Sequence, residues 1–171
     1  MRRLWLLRHA KSSWDDPSLD DHERPLAPRG ERDAAAMAAH LRRAEVRPDL
    51  VLCSSAVRAR DTLTGVLPGL GPDLRIVVER GLYTFEHRRL ADALVAATDR
   101  ADAILLVGHN PAIQGLAERL SREGDELDRL RTKYPTCALA TIDLDIDAWA
   151  DLATDSGELV GFITPRDLAW T

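Results

Sequence analysis

Short apolar runs that end abruptly in polar residues punctuate this chain. The first, Leu4-Trp5-Leu6-Leu7, passes directly into Arg8, His9, Ala10 and Lys11. A run that is oily on both faces must be covered on both, so it reads as a buried strand. Leu50-Val51-Leu52-Cys53 repeats the pattern and leads through Ser54 and Ser55 into a helix carrying Arg58, Arg60 and Thr62. The most apolar run, Ala103 to Val107, ends in Gly108-His109-Asn110-Pro111. A shorter strand is expected over Arg75 to Glu79, after the Pro68-Gly69-Leu70-Gly71-Pro72 break.

Helical spacing fills the intervals. Pro28-Arg29-Gly30-Glu31 opens a helix whose apolar face is Ala34, Met37, Ala38 and Leu41, and which should end before Pro48. Leu90, Leu94 and Ala97 mark another, ending near Asp99, and Ile113, Leu116, Ala117 and Leu120 a third, with Asn110 as N-cap and Pro111 at N1. Serine is the expected cap of the Arg58 helix. Lys11 to Ala27 has no helical period, and a loop this long in a compact domain is more often functional than idle. Arg122 to Pro135 reads as a charged surface connection. Beyond it, Cys137 to Leu144, Trp149 to Leu152 and Glu158 to Ile163 read as strands, the last two joined by a turn over Thr154 to Gly157. The predicted architecture is an α/β three-layer sandwich with a mostly parallel central sheet, helices on both faces and a C-terminal strand meander at the edge, spanning residues 1–171 as one domain.

If the sheet is mostly parallel, the strands ending at Arg8 and His9, at Ser54 and Arg58, and at His109 open on one edge, where such folds bind ligands. Two arginines and two histidines would meet there, content that suits an anion with several oxygens, with phosphate foremost. Taken alone, Arg58 and Arg60 also read as solvated helix charges.

Composition narrows this picture. With 23 Lys and Arg against 28 Asp and Glu, the net charge of −5 argues against a general nucleic-acid binder, and any anion site must be concentrated. Cys53 and Cys137 lie in or beside apolar runs without metal-like spacing and read as reduced core residues, which makes a cytoplasmic setting the default. Met1-Arg2-Arg3 is basic, but Leu4 to Leu7 is far too short for a signal-peptide core, and no later run approaches membrane-spanning length. A metal centre built on His9, His109 and His22 is disfavoured, because arginine beside both principal histidines would repel a divalent cation. His22, His40 and His87 read as ordinary surface residues.

Leu7-Arg8-His9-Ala10, the Ser54-Ser55-Ala56-Val57-Arg58-Ala59 segment with Thr62, and Gly108-His109-Asn110-Pro111 resemble, in order, the three signatures of the histidine phosphatase superfamily. The compact length, Arg24-Pro25-Leu26 followed by Gly30, and Thr136-Cys137-Ala138 resemble its SixA-type phosphohistidine phosphatases. The resemblance implies a phosphoglycerate mutase-like fold and a hydrolase that uses neither metal nor cofactor. It implies that His9 attacks phosphorus and becomes transiently phosphorylated, that Arg8, Arg58 and His109 hold the phosphoryl oxygens, and that Arg24 lines the same pocket. Neutral His9 would need its second ring nitrogen tied to a backbone carbonyl or similar acceptor. Glu79 and Glu86 are the carboxylates available as general acid between the second and third signatures. The implied partner is a phosphorylated substrate, foremost a phosphohistidine-bearing protein, with no role for nucleic acid or membrane. The competing readings are a small-metabolite phosphatase of the same superfamily and a noncatalytic phosphoprotein-binding module.

Overall fold

The computed structural model describes residues 1–97 and 100–169. Seven strands form one sheet: β1 (Arg2–Arg8), β2 (Leu50–Ser54), β3 (Arg75–Glu79), β4 (Ala103–Gly108), β5 (Ser121–Glu123), β6 (Leu139–Leu144) and β7 (Gly157–Ile163), in the order β3-β2-β4-β1-β6-β7-β5. The β3-β2-β4-β1 half is parallel throughout. Six helices accompany it: α1 (Pro28–Arg43), α2 (Val57–Val66), α3 (His87–Val95), α4 (Ala112–Leu120), α5 (Leu127–Thr132) and α6 (Pro165–Leu168).

The apolar runs alternate between two cores, because successive strand side chains point to opposite faces. Leu4, Leu6, Leu50, Leu52, Ile104 and Leu106 pack with Leu90 and Leu94 of α3 and with Ile113 and Leu116 of α4. Trp5, Leu7, Val51, Cys53, Leu105 and Val107 pack with Met37 and Leu41 of α1, Leu63 and Val66 of α2, and Leu168 of α6. Both faces are therefore covered, which gives the three-layer α/β sandwich expected from continuous rather than alternating hydrophobicity. No helix among the described residues is long and apolar enough to cross a membrane.

The C-terminal third departs from expectation in three ways. Trp149 to Leu152 is no strand: Trp149–Asp151 forms a single 3-10 turn. Asp151 accepts a hydrogen bond from the Ala148 amide, while the fully buried Trp149 indole donates to the Ala101 carbonyl at 2.6 Å. The Arg122 to Pro135 stretch holds both the three-residue β5 and α5, whose polar composition hid them. β5 pairs in parallel with β7 and takes the sheet edge, so the β6-β7 antiparallel pair lies inside the sheet, not at its margin. The caps differ as well: the N-caps of α2 and α4 are Ala56 and Pro111, and α4 starts at Ala112. Ser54 and Asn110 act from just outside them, accepting hydrogen bonds from the Ala56 and Gln114 amides respectively. α3 ends at Val95, and the expected end near Asp99 lies outside the described residues.

Tyr134, just after α5, joins this region to the centre of the sheet. Its hydroxyl donates to the Leu6 carbonyl at 2.5 Å and accepts from the Ala140 amide at 3.0 Å. The ring is fully enclosed against Phe162, with centroids 5.0 Å apart. Removing that hydroxyl leaves buried polar groups of β1 and β6 short of a partner. Tyr134→Phe is expected to lower stability by about 1–3 kcal/mol, read as a lower urea midpoint with unchanged slope; an unchanged midpoint would mean that the ladder closes without it.

Candidate functional site

Register brings the strand ends level. β1 pairs with β4 so that Arg8 stands opposite Gly108, and β2 pairs with β4 so that Cys53 stands opposite Val107, which puts Ser54 in the same row. The first residues past that row, His9 and His109, have ring centroids 5.1 Å apart. The ladder runs one step further on this side, since His9 N–H donates to the Gly108 carbonyl at 2.9 Å. The chain then turns past α2, where Ala10 N–H donates to Thr62 Oγ1, and Thr62 Oγ1 in turn donates to the Arg58 carbonyl. Gly30 lets α1 run directly against the Lys11 backbone, where a Cβ would stand 2.2 Å from the Lys11 carbonyl oxygen.

The four principal candidates, Arg8, His9, Arg58 and His109, come together, and three of them are buried: His9 (8 % exposed), Arg58 (3 %) and His109 (1 %). His9 Nδ1 lies 2.7 Å from the Ala10 carbonyl oxygen. A carbonyl can only accept, so Nδ1 carries the proton and Nε2 keeps its lone pair. His109 Nε2 lies 2.7 Å from Ser54 Oγ, which already accepts from the Ala56 amide. Ser54 Oγ keeps a second lone pair as well as its proton, so this contact holds the His109 ring in either tautomer. Burial lowers the His9 pKa to about 4, with Arg58, Arg8 and Arg24 adding to the effect against the Ala10 hydrogen bond. Burial, with His9 and Arg58 adding, lowers His109 to about 3. Three buried nitrogens of this cluster, Arg8 Nε, Arg58 Nε and His109 Nδ1, have no hydrogen-bond partner among the described residues.

The Lys11 to Ala27 loop folds back over the cluster. It is pinned at its base by the Ser12–Leu26 bridge and by hydrogen bonds from Ser13 N to Pro25 O and from Ala27 N to Lys11 O, both 2.8 Å. At its tip, in the 3-10 turn Asp21–Glu23, Asp21 reaches the arginines. Arg58 donates to the Asp21 carbonyl at 2.6 Å and to Oδ2 at 2.9 Å, Arg24 Nη2 lies 3.1 Å from Oδ1, and the Tyr83 hydroxyl donates to Oδ2 at 2.5 Å. Burial opposes ionisation of Asp21, but the hydrogen bonds from Tyr83 and Arg58 and the Arg58 charge outweigh it and hold its pKa at about 2. Arg24 is buried, donates to Ser12 Oγ and the Ser13 carbonyl, and stacks under Trp14 at 3.5 Å. Arg60, by contrast, is exposed and donates to the Ser55 carbonyl.

Neither Glu79 nor Glu86 contacts this cluster. Both are exposed; Glu79 offers its backbone carbonyl to Ser55, and the Glu86 carboxylate lies 3.8 Å from Arg89. The carboxylate that does reach it, Asp21, lies before the second signature, in a loop whose return path no periodicity encodes. Tyr83 packs edge-on to His109 with centroids 5.3 Å apart, and was legible only as an aromatic in a connection. His22 is not an ordinary surface residue: its Nε2 lies 2.8 Å from Ser55 Oγ and its ring packs on Tyr83. Cys53 and Cys137 are free, buried and pushed up to about 12 by burial, so neither offers a thiolate. No group of three or more His, Cys, Asp or Glu among the described residues is placed to hold a metal ion.

Comparison with known proteins agrees with this geometry. A family model for the histidine phosphatase superfamily (branch 1) matches residues 4–87. A candidate phosphohistidine phosphatase SixA from Nakamurella multipartitia superposes with a TM-score of 0.84 at 30% identity, covering 96% of each chain. The chain belongs to the histidine phosphatase superfamily, and to its SixA type. A second SixA candidate, from Agrobacterium tumefaciens, gives a TM-score of 0.81 at 29% identity over 96% of this chain and 98% of the other. An uncharacterized protein of Mycobacterium leprae is 37% identical over 166 residues, which is 94% of this chain and all of the relative.

In the free protein both imidazoles are therefore neutral through pH 5. Ring resonances of His9 and His109 are expected to titrate with midpoints of about 4 and about 3. Between the ordinary value of 6.5 and those midpoints only the unfolded chain takes up protons at these rings, so stability falls as pH drops through that window. A His9 ring that titrates near 6.5 by NMR would contradict the burial argument.

Proposed function

We propose that this histidine phosphatase is a metal-independent protein phosphohistidine phosphatase, working in the cytoplasm, in which His9 Nε2 is the nucleophile. The observation that carries this reading is the set of buried nitrogens without a hydrogen-bond partner among the described residues, Arg8 Nε, Arg58 Nε and His109 Nδ1, the last carrying its ring's proton in this reading, gathered beside His9, whose Nε2 keeps its lone pair. A tetrahedral dianion supplies the oxygens those donors lack, and phosphoryl transfer needs little beyond in-line positioning and charge stabilisation. Arg24, held behind Asp21, adds a further positive charge to the pocket.

His9 Nε2 attacks phosphorus, the bond from phosphorus to the leaving nitrogen or oxygen breaks, and the leaving group takes a proton. Water then attacks phosphorus, the bond to Nε2 breaks, and phosphate departs with the neutral imidazole restored. Asp21 is our candidate for the proton carrier in place of Glu79 and Glu86. In the resting site its carboxylate sits where phosphoryl oxygens would meet Arg58. A phosphoryl dianion displaces it from the guanidinium and raises its pKa by charge repulsion, which equips it to give a proton to the leaving group and to recover one from water. A phosphorylated imidazole needs less protonation to leave than an alkoxide, so an aspartate at an open mouth suits phosphohistidine.

The test incubates the protein with a phosphohistidine protein, p-nitrophenyl phosphate and a panel of metabolites, with and without chelator, and traps the phosphoenzyme. Acid-labile phosphate on His9 and faster phosphohistidine turnover are expected. Chelator-sensitive turnover, or no label on His9, would overturn the mechanism; a preference for metabolites would overturn the substrate. Arg58→Ala should cost about 3 kcal/mol of transition-state stabilisation, roughly a hundredfold in kcat/KM. Asp21→Asn should slow alkyl phosphate turnover far more than that of p-nitrophenyl phosphate, whose leaving group needs no proton; equal effects on both would remove Asp21 from the proton path.

A further inference from the structure

Beside the phosphoryl cluster lies a cleft of about 620 Å³ that the chemistry above does not use. Arg29 at the start of α1, Arg129 and Lys133 at α5, and Arg166 in α6 supply every charged side chain in its lining, and all four are basic and exposed. In a chain of net charge −5 this is a local reversal of sign. Arg29 lies 3.6 Å from Asp33, and Arg129 is paired with Glu126 and Asp167, whereas Lys133 and Arg166 make no ion pair among the described residues. Phe162, under the Arg129 guanidinium at 5.5 Å, gives part of the cleft an apolar floor.

The cleft lies at the same sheet edge as the phosphate cluster: Thr164 and Pro165 follow the end of β7, which runs the same way as β1, and Pro135 and Thr136 precede the start of the antiparallel β6 between them. Two of its lining residues, Lys133 and Pro135, flank Tyr134, whose backbone carbonyl accepts a hydrogen bond from Arg8 Nη1 at 2.8 Å. A lining neighbour, Thr136, precedes Cys137, whose N–H donates to the carbonyls of Arg8 and His9. A ligand in the cleft would therefore lie along the edge that carries Arg8 and His9, against the segment that anchors them.

We propose that this cleft is a substrate-recognition subsite for acidic side chains neighbouring the phosphorylated residue of a protein substrate. The proposal rests on the phosphohistidine protein reading above and specifies it. Two unpaired cations, Lys133 and Arg166, with the paired Arg29 and Arg129 around the same cleft, match carboxylates spread along a chain better than the single second anion of a small metabolite, and exposed charges of this kind favour encounter and specificity. Because the cations are solvated, the preference weakens as salt rises.

The test uses the full chain, two phosphohistidine peptides of equal length flanked by either Glu or Gln, and the unphosphorylated peptides labelled for fluorescence anisotropy. Wild type is expected to favour the Glu peptide at least fivefold in KM and to bind the unphosphorylated Glu peptide more tightly than its Gln counterpart. Lys133→Glu with Arg166→Glu should abolish both preferences while p-nitrophenyl phosphate turnover stays within twofold. Equal KM or equal binding for the two peptides overturns the subsite, as does an equal loss on p-nitrophenyl phosphate. If the charge reversals instead impair only 3-phosphoglycerate turnover, the cleft serves small anions and the proposal falls. If neither peptide is turned over, the phosphohistidine reading fails by itself, and anisotropy still decides whether the cleft selects acidic chains.

Discussion

The parallel registers of β1 and β2 against β4 are the constraint on which this molecule depends. Arg8 opposite Gly108 and Cys53 opposite Val107 fix three strand ends in one row, so residues from distant parts of the chain converge there. Because strand side chains alternate, a slip of one residue would move Leu4 and Leu6 into the layer now filled by Trp5 and Leu7. The two cores are therefore what hold the row of strand ends level, and packing and the placing of the candidate site are specified by the same apolar residues.

Gathering cations in a buried place has a cost, and the loop after β1 offsets it. Arg58 is almost wholly buried and would be expensive without a counter-charge. Asp21 supplies one, reinforced by Tyr83 and shared with Arg24. The histidines need no counter-charge because burial keeps them neutral; Ala10 sets the tautomer of His9 and Ser54 holds the ring of His109. The site thus combines charged arginines balanced by a loop carboxylate with neutral rings held by hydrogen-bonding partners.

What could be read from the chain follows from the range of each interaction. Buried strands and amphipathic helices announce themselves by periodicity, and the polar residues at their ends located Arg8, His9, Arg58 and His109. The need for a backbone acceptor on the second nitrogen of His9 was likewise legible, and Ala10 meets it. Elements without apolar periodicity were not. β5 is Ser121–Glu123 and carries its pairing in the backbone alone, while Trp149 mimicked a strand residue because its indole anchors a turn instead. Asp21 escaped for a different reason: it owes its position to the closure of a long loop through Ser12 and Leu26, and sequence distance from the signatures concealed its contact with Arg58. Glu79 and Glu86 had the right sequence interval, but both are exposed and neither carboxylate has a hydrogen bond or ion pair to the cluster among the described residues.

The Asp21 carboxylate on Arg58 also bears on how the product leaves. In the reaction proposed above, inorganic phosphate between Arg8, Arg58 and His109 would face a tethered rival that needs no diffusion to return to the guanidinium. Its affinity would then be a difference between two occupants of one fork, an arrangement that favours release of the product over its retention.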